Sequence, residues 1–153
     1  MISTEFRKLI KFFEGIKLTA YQCSGNKWTI GWGHTKGVVG GMMITESMAE
    51  LYLTNDIQDA CVQLNGLGLA NLPDRWYDVL IDFIFNLGIG NFKKSTLFKR
   101  LKENDLESAK RELLKWVYSG GRVTKGLVRR RKAEIAWIEG KSIDEIKEEW
   151  HKW

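Results

Sequence analysis

The sequence predicts an α+β fold, mostly helical, in two lobes. A small β-hairpin lobe spans about residues 16–44, and a larger helical lobe is built from residues 1–15 and 45–153. Three observations carry this. Apolar residues recur at helical spacing over most of the chain. That spacing gives way once, between Leu18 and Trp32, to two β-prone runs around a Cys-Ser-Gly-Asn-Lys turn. No linker, internal repeat or low-complexity tract interrupts the 153 residues, which are 44% hydrophobic and sufficient for one core. A single domain follows, with a cleft between its lobes as the natural ligand site.

The elements are read in order. Ser3 or Thr4 caps a first helix, Glu5 suits its first turn, and Phe6, Leu9, Ile10 and Phe13 make its apolar face. Glu14 closes that face and Gly15 stops the helix. Leu18–Tyr21 and Trp28–Trp32 read as strands, and Gly37, Gly40 and Gly41 mark a loop. Thr45 caps a long helix running to about Leu64, with Met48, Leu51, Tyr52, Ile57 and Leu64 expected inward and Gly66-Leu67-Gly68 closing it. This helix is the expected strut between lobes. Asn71 opens the next helix, with Pro73 in its first turn. Its apolar residues Trp76, Val79, Leu80, Phe83, Ile84 and Leu87 make it the central core helix, ended by Gly88 and Gly90. Amphipathic segments at about 95–103, 105–118, 125–139 and 142–149 complete the chain.

Net charge is +5, and its placement is uneven. Residues 1–75 hold seven Lys/Arg and seven Asp/Glu, whereas Lys93–Lys132 hold fourteen basic residues against four acidic ones. Such a field favours a polyanionic partner, although the same residues also suit solvated helix faces. No recognised nucleic-acid motif is present, so a nucleic-acid partner is not expected. No run of 18 apolar residues occurs and no signal peptide is evident, so neither stable membrane insertion nor signal-directed export is expected. Nothing indicates an oligomer, and a monomer is expected. Cys23 and Cys61 form no disulfide framework or metal-ligand cluster, and Cys61 reads as a small buried apolar residue. No metal or other cofactor is expected.

The chemistry concentrates early in the chain. A carboxylate at the end of an apolar face is partly desolvated, which raises its pKa and suits Glu14 to general-acid work. The helix C-terminus is also an unfavourable place for a negative charge, which hints at function. If the hairpin folds over the helix end, Cys23 and Thr29 face Glu14. Thr29 can hold a water. Cys23 is either a nucleophile once ionised or a group that helps position that water. His34 reads as a structural hydrogen-bonding residue rather than a base. Trp32 is a candidate sugar-stacking ring. The run Arg129-Arg130-Arg131-Lys132 reads as a phosphate patch, a solvated helix face, or the source of one arginine turned inward to pair with Glu14.

Three blocks then carry a resemblance over nearly the whole chain: Glu14-Gly15…Leu18-x-Ala20-Tyr21…Trp28-Thr29-Ile30-Gly31-Trp32-Gly33-His34-Thr35, then Phe85–Leu97, then Trp116…Gly120-Gly121…Gly126-Leu127-Val128-Arg129-Arg130-Arg131-Lys132-Ala133-Glu134. Together they resemble the phage-type lysozymes (endolysins) of glycoside hydrolase family 24. The resemblance implies a lysozyme-like fold. It also implies hydrolysis of the β-1,4 bond between N-acetylmuramic acid and N-acetylglucosamine in peptidoglycan, in bacterial lysis by a phage or prophage. It implies a catalytic set of Glu14, Cys23 and Thr29, with Cys23 where many members carry Asp. It assigns Thr35, Phe85, Asn86 and Ser95 to the saccharide cleft, and Arg130 or its neighbour Arg131 to support of Glu14. It further implies synthesis in the host cytoplasm, release through a separate membrane pore protein and action on the cell wall. A lytic transglycosylase, which needs only one essential acid, and a lysozyme-like wall-binding protein without catalysis are the rival readings.

Overall fold

A computed structural model describes residues 1–153. The first helix, α1 (Thr4–Glu14), is capped by Ser3, whose side chain accepts from the Phe6 amide, and it buries Phe6, Leu9 and Ile10. Gly15 ends it at φ 63° and donates its amide to the Lys11 carbonyl. The chain then enters the hairpin of β1 (Lys17–Gln22) and β2 (Trp28–Gly31), an antiparallel pair with a register shift between Lys17 and Tyr21. The returning segment closes the small lobe. Ala20 donates to the Met42 carbonyl and Ile44 to the Leu18 carbonyl, at 2.8 and 2.9 Å.

Thr45 caps α2 (Glu46–Asn65), which joins the lobes and packs on both β2 and the next helix. Its inward stripe is Ala49, Leu53, Ile57, Ala60, Cys61 and Leu64. Met48 and Leu51, expected inward, are exposed. Close packing is the reason: an added Cβ on Gly31 of β2 would lie 3.4 Å from the Ala49 Cβ, so the inner face takes small residues where the larger ones were expected.

Helix α3 (Asp74–Leu87) is the core helix, and Pro73 is its cap rather than part of its first turn. Asn71 does not open it. Asn71 sits in the left-handed region at φ 63°, where an asparagine turns the chain. The expected stop at Gly88 and Gly90 is only half realised. Gly88 breaks the helix, but Gly90 lies inside α4 (Ile89–Lys94), which is anchored by the fully buried Phe92. Then come α5 (Thr96–Lys102) and α6 (Leu106–Leu113). Helix α6 stops at Leu113 rather than near 118. Gly120 and Gly121 both take positive φ and turn a second short hairpin, β3 (Tyr118–Ser119) with β4 (Arg122–Val123).

Helix α7 (Lys125–Ile138) and α8 (Ile143–Glu149) close the helical lobe, ending in a 3-10 turn over Trp150–Lys152. One buried carboxylate joins three helices. Asp78 of α3 accepts from the Ser3 amide and hydroxyl at the start of α1, both at 2.7 Å, and from the Trp137 indole of α7 at 3.1 Å. Phe12 and Phe13 of α1 meet Trp150 with ring centroids 5.2 and 5.4 Å apart, so the two ends of the chain pack together.

Candidate active site

Glu14 is the last residue of α1, and α7 reaches across to hold it. Arg130 Nη1 donates to Glu14 Oε1 at 2.6 Å, while its Nε and Nη2 donate to both oxygens of Asp82 on α3, at 3.0 and 2.6 Å. The guanidinium also lies over the Phe13 ring at 5.1 Å. This corrects the expectation of an apolar seat: the acid rests in a salt bridge, with 19% of its side chain exposed. Asp82 and Arg130 cancel one another, so Glu14 is fixed in place without facing an unbalanced cation. Its other side meets backbone. A Cβ on Gly33, which sits at φ +80°, would come 2.7 Å from Glu14 Oε2, so no larger residue fits there while the acid keeps its place.

Two cavities meet at Glu14. One, of about 540 Å³, faces the helical lobe and is lined by Tyr118, Leu127, Arg130 and Trp150 among others. The second, of about 430 Å³, faces the hairpin and includes Tyr21, Lys27, Thr29, Gly33 and Thr35. They share Glu14, Cys23, Asn86 and Leu87. A shallower groove of about 180 Å³ continues past Gly33, Thr35 and Phe85 to Lys36, Asp56 and Asp59. The result is an elongated cleft between the lobes, suited to a chain-like ligand. Glu14 is the one carboxylate lining the two central cavities.

The hairpin turn brings Cys23 and Thr29 to this cleft. The backbone amides of Gly25 and Lys27 hold the Cys23 thiol below its ordinary pKa. Thr29 is buried and donates its single hydroxyl proton to the Lys27 carbonyl at 3.1 Å. Its lone pairs are therefore left to accept from a water.

Of the other expected residues, Thr35, Phe85 and Asn86 line the cleft. Ser95 does not. It is buried as the cap of α5, giving its hydroxyl proton to the Phe92 carbonyl and accepting from the Phe98 amide. Trp32 is buried under Lys11 and offers no sugar-stacking face, whereas Tyr118 and Trp150 do border the cleft. His34 pins the hairpin lobe to α2, pairing with Asp56 at 2.8 Å and stacking on Tyr52. The arginine run is neither a solvated face nor a phosphate patch at its centre, because Arg130 and Arg131 are both buried. Arg131 supports not Glu14 but Asn86, at 2.9 Å. No three His, Cys, Asp or Glu residues are grouped to hold a metal ion. Sequence reasoning missed Gly33, Asp82, Tyr118 and Trp150. Asp82 had left a signal, as a charge within the apolar stretch of α3.

A family profile described as phage lysozyme matches residues 11–134, from just before the acid to just beyond the paired arginines. The chain belongs to the phage lysozyme family. It is a lysozyme, a peptidoglycan-degrading glycoside hydrolase. Neither rival reading is favoured by its relatives. The endolysin of Acyrthosiphon pisum secondary endosymbiont phage 1 is 39% identical over 142 residues, covering 90% of this lysozyme and 97% of the relative. A SAR-endolysin of Enterobacteria phage PA-2 is 32% identical over 122 residues, covering 79% and 74%. Among solved structures, the muramidase domain of SpmX from Asticaccaulis excentricus superposes with a TM-score of 0.83 at 30% identity, covering 92% of this lysozyme and 99% of that domain.

Proposed function

We propose that Glu14 is the general acid for cleavage of the bond between N-acetylmuramic acid and N-acetylglucosamine, and that Thr29 and Cys23 position the attacking water. The observation that carries this reading is the convergence of the three residues in one cleft, with Glu14 clamped by Arg130 and Gly33. A glycan strand lies along the cleft, with Thr35, Phe85 and Asn86 on its walls. Glu14 gives its proton to the leaving glycosidic oxygen. The water adds its hydroxyl to the anomeric carbon, and its proton restores Glu14 over the cycle. The free lone pairs of Thr29 favour the water-positioning role over nucleophilic attack by Cys23. The amides of Gly25 and Lys27 that lower the thiol's pKa favour its anionic form, the form that would oppose the positive charge developing on the sugar.

No helix is long and apolar enough to cross a membrane, and on this reading passage to the wall depends on a separate membrane pore protein. The lysozyme acts there as a monomer.

The test is mass spectrometry of fragments released from purified peptidoglycan by the wild type and by Glu14→Gln. Reducing muramic ends from the wild type and nearly none from the variant are expected. Undiminished release by Glu14→Gln would remove Glu14 from the mechanism, and anhydro-muramic ends would replace hydrolysis by transglycosylation. Alkylation shown to be at Cys23 should slow lysis without abolishing it. Complete loss on alkylation, together with a trapped glycosyl thioether in the untreated enzyme, would restore Cys23 as nucleophile.

A further inference from the structure

Beneath the cleft lies a buried charge network larger than support of one acid requires. Neighbouring arginines of α7 turn to two different parts of the site. Arg130 holds Glu14, backed by Asp82. Arg131 donates from Nη2 to the Asn86 side chain at 2.9 Å and to Glu134 Oε1 at 2.7 Å. Asp82, Arg131 and Glu134 have no exposed surface, and Arg130 has almost none. Burying four such charges is costly, and replacing them with apolar residues of similar volume is often no less stable. Fold stability alone therefore gives little reason for the network.

We propose that Asp82 and Glu134 are positioning residues for this lysozyme, Asp82 acting through Arg130 on the acid Glu14 and Glu134 acting through Arg131 on the cleft-wall residue Asn86. The Asp82 arm rests on the assignment of Glu14 as the acid.

The two arms also meet. Glu134 Oε2 finds no hydrogen-bond partner in the protein, and the two buried carboxyls influence one another, Glu134 lowering Asp82 and Asp82 raising Glu134. Burial pushes the Glu134 carboxyl well above the ordinary range, whereas at Asp82 the effect of burial is overcome by Arg130 and the carboxyl lies below it. The remaining unpaired nitrogens of Arg131 belong to a guanidinium lying over the Phe83 ring at 5.3 Å. Glu134 thus accepts from Arg131 through Oε1, a role an amide oxygen can fill.

The experiment measures kcat, KM and Tm of the full chain on a soluble, uncross-linked glycan fragment of peptidoglycan. Asp82→Asn should lower kcat about 10- to 100-fold with KM within about twofold, because misplacing the acid costs the chemical step. Glu134→Ala and Asn86→Ala should each raise KM about 3- to 10-fold with little change in kcat, and the double variant should be no worse than either alone. Glu134→Gln should restore KM to within about twofold of wild type, since the amide oxygen still accepts from Arg131. Lowered Tm in these variants with kcat and KM unchanged would reduce the network to scaffolding and overturn the proposal. An additive double variant, or a Glu134→Gln as impaired as Glu134→Ala, would overturn the Glu134 arm. If Asp82→Asn does not fold, Asp82→Glu tests the Asp82 arm through the same fall in kcat, and a kcat within about threefold of wild type would overturn it. Full activity in Glu14→Gln would instead remove the acid assignment and the Asp82 arm with it, leaving the Glu134 arm to stand on its KM effects.

Discussion

Gly33 and Cys23 differ in what the sequence said of them. Cys23 stands out in the sequence because it lies in a short turn between an acid and a hydroxyl, and the structure places it with Glu14 and Thr29 in one cleft. Gly33 was not legible. Its role is the absence of a side chain next to Glu14 Oε2, and no pattern of residue types announces an empty space. Gly33→Ala places a methyl group 2.7 Å from that oxygen, at a φ of +80° that alanine adopts poorly. We expect it to lower kcat by about 10²-fold, the scale of an ångström-sized misplacement, with KM less affected. Turnover of a soluble glycan fragment measures it, and a variant within threefold of wild type would show that Glu14 tolerates the shift. The buried partners of the acid lie between these cases. Pairing of an inward arginine with Glu14 was foreseen, but not that two arginines turn inward to different targets, because the register of α7 against α3 is a tertiary fact.

Helix-forming patterns were read well and their boundaries less well, for local reasons. Glycine at 88 and 90 marks a stop at both positions by propensity, yet α4 forms across Gly90 because the burial of Phe92 outweighs its helix cost. The β3–β4 hairpin was missed because it is only two residues deep on each side, too short to show alternation. Helices α1 and α2 are joined at their surface by a charge cluster whose effect depends on pH. Glu50 of α2 takes hydrogen bonds from Lys11 and Arg7 of α1, and these hold its carboxyl below the ordinary value of 4.5. A lowered folded value means that the stabilisation is present above about pH 4.5 and fades as the pH falls through that lowered value. The side chain is 40% exposed, so screening keeps the contribution under about 1 kcal/mol. Glu50→Gln should therefore lower Tm by about 2–4 °C at most at pH 7. By pH 3 it should lower Tm by less. A Tm difference that grows on acidification would refute this account.

For the whole molecule, the division into two lobes and the uneven charge were both readable from sequence, but the charge count needs revision. Arg130 and Arg131 are spent inside, while Lys93, Lys94, Lys99, Lys102, Arg111, Lys115, Arg122, Lys125 and Lys132 remain exposed. The positive field thus survives on the outer surface of the helical lobe, where it can draw the enzyme to an anionic wall. Lysis of whole walls should slow as salt rises toward 0.3 M, by about tenfold if electrostatic encounter dominates, because the Debye length shrinks below about 10 Å. Turnover of a small neutral glycan should not follow. Equal salt sensitivity on both substrates would place the effect in the cleft instead.

The pairing of Glu14 with Arg130 across 116 positions of sequence also sets an order in time. A ribosome makes the acid 116 positions before its arginine, and the aromatic ring that packs against the first helix, Trp150, comes later still. Throughout synthesis the chain therefore holds its acid without the seat that aims it. Termination before α7 leaves a chain with the glutamate and without the arginine that holds it.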